Sequence, residues 1–474
     1  MASAAAPVTA AAASAGSADK SKPLSLWEKF GYGSGDFAAN LYIQMFGFFL
    51  LFYYTDVYGI SPGAVATLML LSKVLDAVSD PAMGLIADRT RSRWGRYRPY
   101  LLWGAIPFGI SGFLVFAGPE LSNTGKVIWA GVTFILVRQV FTLVNIPYSG
   151  LLGVIHPSSA ERTKATTWRF SMSTCAAIFI GLTGTALIRE LGGGDYQTGI
   201  RWTMAVMAVL ATVLTLLAFA TTRERVEPRV QQRSVKADIR AVVSTRWWVV
   251  CALASILLMT GLVTRFGTAL YFFKYILAAP EEPVLGPLDL PSLFLASGAF
   301  AQLIGVIAGG LLAARFSKGR LVLWAAVVQV LAMLGFEFVG RTDYAAMMVL
   351  QAFASAGYGV CITMLFAMFT DLAEFIEWRS KLQVTALVIS ASIFGLKVGN
   401  ALAVAIPGYV LEFTGFVANQ EQTQAAQDGI MLVFQWLPIV CVAGVAALML
   451  AYGLDKTRVR QVEAELNERR AAAQ

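Results

Sequence analysis

The sequence predicts an all-α polytopic membrane protein of about twelve transmembrane helices in two six-helix bundles. Three observations carry that expectation. Only 14% of the 474 residues are charged and 57% are hydrophobic, against roughly 25% charged in ordinary soluble domains. Apolar stretches such as 104–117, 204–220 and 433–451 fill most of the ~20 residues that a helix needs to cross hydrocarbon. Basic residues recur in alternate connections between such stretches, as they do in cytoplasmic loops.

Residues 1–25 form an Ala- and Ser-rich leader in which Lys20 and Lys22 follow the small residues. That order is the reverse of a cleavable signal peptide and predicts a disordered cytoplasmic tail. Between the second and third apolar stretches lie Arg89, Arg91, Arg93, Arg96 and Arg98, whereas the preceding connection carries only Asp56. The arginine loop is therefore assigned to the cytoplasm. Further basic groups at Arg162 and Lys164, over 223–246, at Arg315, Lys318 and Arg320, and over 456–470 alternate with connections poorer in them. Counted this way, residues 26–222 form an N-terminal bundle, 223–246 a cytoplasmic linker, 247–454 a C-terminal bundle and 455–474 a cytoplasmic tail that reads as a surface helix. Both termini fall inside, which predicts a multi-pass protein of the cell inner membrane.

An internal echo supports two matching halves. Gly84-Leu85-Ile86-Ala87-Asp88-Arg89 corresponds to Gly310-Leu311-Leu312-Ala313-Ala314-Arg315, and Tyr100-Leu101-Leu102-Trp103 to Leu321-Val322-Leu323-Trp324. Duplicated six-helix units imply rocking of two bundles about a central site.

Composition also sets aside other classes. The net charge of +8 is spread over alternate loops rather than gathered on one face, so it reads as topology and not as a nucleic-acid surface. Cys175, Cys251, Cys361 and Cys441 sit in apolar runs without paired spacing and read as packing residues. The lone His156 has no neighbours that would give it chemistry, and no nucleophile, base or metal cluster of an enzyme is present. The expected partners are the lipid bilayer, a small-molecule solute and a coupling cation, with no cofactor, and the expected state is a monomer.

Several runs resemble one family: Gly31-Tyr32-Gly33-Ser34-Gly35-Asp36-Phe37, Phe52-Tyr53-Tyr54-Thr55-Asp56-Val57, Asp76-Ala77-Val78-Ser79-Asp80-Pro81, the string from Asp88 to Pro99, and Asn145-Ile146-Pro147-Tyr148. The chain resembles the glycoside-pentoside-hexuronide cation symporters of the major facilitator superfamily from about Leu26 to about Leu454. The resemblance implies a secondary symporter in which a Na+ or H+ gradient drives uptake of a glycoside, pentoside or hexuronide by alternating access. Some distant relatives carry lipids on the same machinery, so a lysophospholipid or other amphiphile transporter stands as the alternative.

The residues give an independent account of the chemistry. Charged groups in spanning helices are costly unless paired or facing water, so each is a functional candidate. Asp76 and Asp80 are four residues apart on one helical face and can converge on a small cation, a candidate Na+ site; the same pair can instead share a proton. The competing reading pairs Asp76 with Lys73. Measured from Asp88, Asp80 and Asp76 lie about 12 and 18 Å into the membrane, and Lys397 lies at about 20 Å on its own helix. Thr142 and Asn145 enter a similar layer, so helices two, four and eleven are expected to meet there, with Lys397 neutralising the aspartates when the ion is absent. The resemblance likewise assigns Asp76, Asp80, Thr142 and Lys397 to the cation site.

The candidate solute site is Asp36, Asn40, Arg138, Asn145, Ser149 and Arg169. Arg169 matches a sugar-contacting arginine of the family, and a guanidinium fork suits hydroxyl or carboxylate oxygens; an interfacial anchor is the competing reading. The aspartates that bind sugar in the melibiose-carrying branch align with Asn40 and Asn145, and its helix-four tryptophan aligns with Ser149, so melibiose itself fits poorly. Amides still donate to and accept from hydroxyls. Arg138 and Arg265 in apolar spans favour an anionic solute if both face the cavity. Arg138 is seven residues from Asn145 and so on nearly the same face, whereas Arg265 and Lys274 are half a turn out of phase and at most one faces inward. Asp88, Arg89, Arg96 and Arg98 are expected to form an inner charge gate with Asp371 and Glu374, in a segment that also holds Glu377, Arg379 and Lys381; a plain solvated loop is the competing reading.

Overall fold

The computed structural model describes residues 22–226, 242, 244–278, 284, 288–313, 315–340, 343–380, 385–454 and 456–472. Residues 1–21 of the expected tail, most of the expected linker over 223–246, and Lys381 lie outside them. Among the described residues the regular structure is helical. The elements are α1 (Leu26–Met45), continued by π-helical turns at Phe46–Leu50 and Tyr53–Val57, α2 (Pro62–Arg89), α3 (Arg98–Val115), α4 (Asn123–Val154), α5 (Ser159–Gly192) and α6 (Tyr196–Thr221). Then come α7 (Arg246–Gly267), continued by Ala269–Tyr271 and a π-helical turn at Phe272–Ile276, α8 (Leu290–Ala313), α9 (Lys318–Gly335), α10 (Tyr344–Ser380) and α11 (Thr385–Phe413). They are followed by α12 (Gln424–Leu450) and α13 (Lys456–Ala472). Ten of these helices are long and apolar enough to cross a membrane; with α1, whose polar residues dilute its hydropathy, and the shorter α3, they make up the twelve anticipated spans.

The chain divides into two compact units. The first comprises Met1–Met45, Leu71–Ile180 and Leu187–Gln231, and the second Phe46–Leu70, Gly181–Ala186 and Gln232–Gln474. In the first, α1 and α3 pack against α6, and α3 against α4, around a core rich in tyrosine: Tyr32, Tyr97, Tyr100 and Tyr148 with Leu151 and Ala218. Residues 22–25 are not a loose tail here. Leu24 is buried, and its amide donates to Glu161 Oε2 at 3.0 Å. In the second unit α7, α9, α10 and α12 enclose Leu258, Val322, Cys361, Met368 and Val445. Gly305 lets α8 and α10 touch, since a Cβ there would lie 1.9 Å from the Ala356 carbonyl oxygen. Cys251, Cys361 and Cys441 pack inside as expected, whereas Cys175 is exposed.

The repeated motifs end equivalent helices. One run closes α2 at Arg89 and the other closes α8 near Ala313, while Trp103 on α3 and Trp324 on α9 both stand about half-exposed, at 55% and 50%. Val78 and Leu311 are among many exposed apolar side chains, an outer surface suited to lipid rather than water.

Candidate functional site

Asp76 and Asp80 lie on α2 in the first unit, one turn apart, as the spacing requires. Pro81 follows directly; lacking an N–H, it leaves the Ala77 carbonyl without its helical donor and loosens the backbone beside the carboxylates. Facing them on α4, another residue pair four apart completes two rungs. Arg138 donates through Nε at 3.1 Å and through Nη2 to Asp76 Oδ2, and Thr142 Oγ1 donates to Asp80 Oδ1 at 2.7 Å. Both rungs join residues 62 apart in sequence, because α2 and α4 run in the same direction through the unit. Asp76 is 5% exposed, and its Oδ1, like the Ser79 hydroxyl one turn along, is buried without a hydrogen-bond partner among the described residues. Asp76 therefore takes Arg138 from α4 as its ion-pair partner. Arg138, anticipated beside the solute, bonds Asp76 of the candidate ion pair.

The remaining solute candidates from the first unit gather on α1, α4 and α5. Arg169 Nε donates to Asp36 Oδ1 at 2.9 Å, its Nη2 reaches Ser149 Oγ at 3.3 Å, and its guanidinium lies 5.0 Å from the centre of the Tyr148 ring. Tyr148 stacks on Tyr32 at 4.9 Å and donates to the Tyr32 carbonyl. The amide of Asn40 donates to the Asp36 carbonyl at 2.8 Å. This packing depends on Gly35, where a Cβ would meet the Tyr148 ring at 2.6 Å. Asn145 lines a small cavity of about 10 Å³ with Gly35, Tyr148 and Thr215, room for about one water.

The arginine loop is pinned within its own unit. Glu224 accepts from the amides of Arg96, Tyr97 and Arg98 at 2.9, 2.7 and 3.1 Å, and Asp88 accepts from the Tyr97 hydroxyl at 2.6 Å. Arg96 Nη1 reaches the Asp88 carbonyl at 3.3 Å, Arg98 Nη2 the Phe219 carbonyl at 2.8 Å, and Arg89 is exposed. In the second unit, Lys318 bonds both oxygens of Asp371 at 2.7 and 2.8 Å, beside a cavity of about 350 Å³ that Glu374 also lines. Lys397 is exposed on α11 of that unit.

Sequence reasoning missed several groups. Ser79 lies within the Asp76–Pro81 run, and Arg138–Thr142 repeats the four-residue spacing of Asp76–Asp80, a signal that points to α4. A polar cluster in the second unit had no local signal. Lys274 donates to Asp56 Oδ1 at 2.9 Å and to Asn419 Oδ1 at 2.7 Å, Tyr275 donates to Asp56, and Thr55 meets Tyr271 at 2.7 Å. The Gly63 amide donates to Glu412 Oε2 at 3.0 Å. Arg265 lines a cavity of about 10 Å³. It is 1% exposed, bonded to Gln351, Gln435 and the Phe434 carbonyl, and its guanidinium lies within 6 Å of the Phe294, Phe336 and Phe434 ring centres.

Comparison with known proteins agrees with this architecture. The family model described as MFS/sugar transport protein matches residues 31–456. A relative from Escherichia coli (strain K12), YagG, whose name describes a glycoside/cation symporter, is 35% identical over 95% of this chain and 96% of its own. The isoprimeverose transporter of Lactiplantibacillus pentosus is 31% identical over 94% and 92%. In three dimensions the chain is similar to a D-xylose-proton symporter, with a TM-score of 0.64 at 14% identity over 90% of this chain and 96% of that one, a likeness of fold.

Proposed function

The chain belongs to the MFS/sugar transport protein family, and on that premise we propose that it is an inner-membrane symporter that couples inward Na+ or H+ movement to uptake of a sugar-like solute. As a member of that family it is a multi-pass membrane transporter and not an enzyme. The solute class we propose is a glycoside, pentoside or hexuronide, in keeping with relatives named for glycosides and isoprimeverose.

The observation that carries the reading is the pair of carboxylates on α2, each bonded from α4, with Asp76 Oδ1 and the Ser79 hydroxyl left as buried oxygens. Oxygen ligands of this kind suit a small hard cation. Arg169, Asp36, Asn40, Ser149 and Asn145 supply donors and acceptors for hydroxyl groups. Lys397 is proposed as a counter-charge that approaches the aspartates in the ion-free carrier. The proposed gates are the Asp88 to Arg98 loop with Asp371 and Glu374 on the cytoplasmic side, and the Asp56–Lys274 cluster on the outer side.

The test uses vesicles containing purified protein, an inward Na+ or proton gradient, and a panel of glycosides, pentosides and uronides. Wild type should concentrate one class of solute under one of the two gradients. Asp80→Asn keeps the side-chain size and removes the charge, so exchange of solute should survive while accumulation falls by at least about tenfold. Full accumulation by Asp80→Asn would remove Asp80 from the coupling site.

A further inference from the structure

Arg265 on α7 is a buried cation whose bonded partners are all neutral. Its Nε donates to Gln351 Oε1 at 3.0 Å, and its Nη1 to the Phe434 carbonyl and to Gln435 Oε1 at 3.2 and 3.1 Å. Neither glutamine can turn to offer more, because each amide NH2 is engaged elsewhere. Gln351 donates to Ser355 Oγ at 3.2 Å, and Gln435 to the Met333 carbonyl. The Phe336 and Phe434 ring centres, 4.6 and 4.5 Å from the guanidinium carbon, offer π faces and no anionic oxygen. What remains is Nη2, buried and without a hydrogen-bond partner among the described residues. We propose that Arg265 Nη2 holds one monatomic anion, such as chloride, enclosed in the second unit as a structural ion.

Nε and Nη2 share one edge of a guanidinium, so Nη2 lies on the side of Gln351. There Gln351, Ser355 and Tyr358 follow one another along one face of α10. All three are buried, and with Arg265 and Gln329 they line a cavity of about 10 Å³. Ser355 accepts from Gln351, which leaves its own proton to donate, and the Tyr358 hydroxyl has the Met259 sulfur, 3.8 Å away, as a weak acceptor. The polar groups at the cavity thus hold spare donors, an arrangement that selects an anion. No Asp or Glu lines it among the described residues. Water at Nη2 would accept a hydrogen bond but leave the charge unbalanced, and an uncompensated ion in a low-dielectric interior is costly. An orphaned buried donor of this kind calls for a ligand. Size sets the rest: the cavity admits about one water, and so a halide but not a carboxylate, phosphate or uronide. The anion is therefore neither cargo nor coupling ion, and the proposal stands apart from the transport reading.

Because the site is enclosed, the ion enters as the helices pack. The full chain is therefore extracted and purified throughout in chloride or, at equal ionic strength, in gluconate, which is too large for the cavity. Thermal unfolding of wild type should depend saturably on chloride, with a midpoint rising by at least about 3 °C between roughly 1 and 100 mM. Protein prepared in bromide and then desalted should retain about one bromide per chain by X-ray fluorescence. Arg265→Met keeps a chain of similar reach and removes the charge, so the chloride dependence and the retained bromide should both disappear. Ser355→Ala keeps the charge and removes one donor, so half-saturating chloride should rise about tenfold. If Arg265→Met does not fold, Ser355→Ala decides. A wild type that melts alike in both salts and retains no bromide has water at Nη2, which overturns the proposal. Equal bromide on Arg265→Met, or a half-saturation in Ser355→Ala equal to that of wild type, also overturns it.

Discussion

At the scale of single residues, the candidate solute cluster turns on the shape of one guanidinium. Arg169 spreads its fork over Asp36 and Ser149 and lies across Tyr148. Arg169→Lys keeps the charge and loses the second arm and the stacking, so solute affinity should fall about tenfold while cation-dependent stabilisation persists. Binding titrations with and without the coupling ion check this, and unchanged solute affinity would leave Arg169 as an interfacial anchor. Its presence on α5 was legible from the sequence; its partners were not, because Asp36 and Ser149 lie 133 and 20 residues away. Arg265 gives the opposite lesson. A lone arginine in an apolar span reads as functional, yet here amide and carbonyl oxygens and three phenylalanine rings enclose it, a structural way to keep a cation in the core.

At the scale of elements, each helix end needs partners for its free backbone groups. The start of α3 finds them in Glu224, whose carboxylate takes three consecutive amides from across the first unit, and a negative charge there also complements the helix dipole. Glu224→Ala strands those amides and should lower stability by about 1–3 kcal/mol. It should also speed tryptic cleavage at the exposed Arg93. A melting temperature and cleavage rate equal to wild type would show that water replaces the carboxylate without loss. The arginine string of this loop reads from the sequence as a cytoplasmic connection, but its anchor, more than 120 residues downstream, carries no periodic signal. The common direction of α2 and α4 has a similar status: the topology implies it, but only side-chain contact reveals that it brings Arg138 level with Asp76 and Thr142 level with Asp80.

At the scale of the whole molecule, ten long apolar helices with α1 and α3 and the alternating basic loops predict how the chain threads the bilayer. Five arginines within residues 89–98 resist translocation, so a cysteine introduced in that loop, on a background lacking the exposed Cys175, should react with an impermeant maleimide only after the membrane is opened. Labelling of intact cells from outside would invert the topology and the twelve-span count with it. The two compact units do not follow the halves of the sequence strictly: the π-helical turns after α1, the start of α2 and six residues of α5 group with the C-terminal helices. The Asp56–Lys274 and Gly63–Glu412 contacts are part of that grouping.

The sequence by itself determined the solvent of this protein, its helix count, its basic loops and the placing of two carboxylates on one face of α2. These follow from local composition and the 3.6-residue period, which act within a turn or a span. Tertiary structure alone decided which charge neutralises which. Asp76 takes Arg138 at a separation of 62 residues rather than Lys73 at three, and Asp56 takes Lys274 at 218. Each choice depends on which helices stand side by side and at what height, and in a low-dielectric interior the energy of an ion pair depends on contact distance. Contact between residues so far apart is a property of the packed helices, absent from any stretch of sequence short enough to show a pattern.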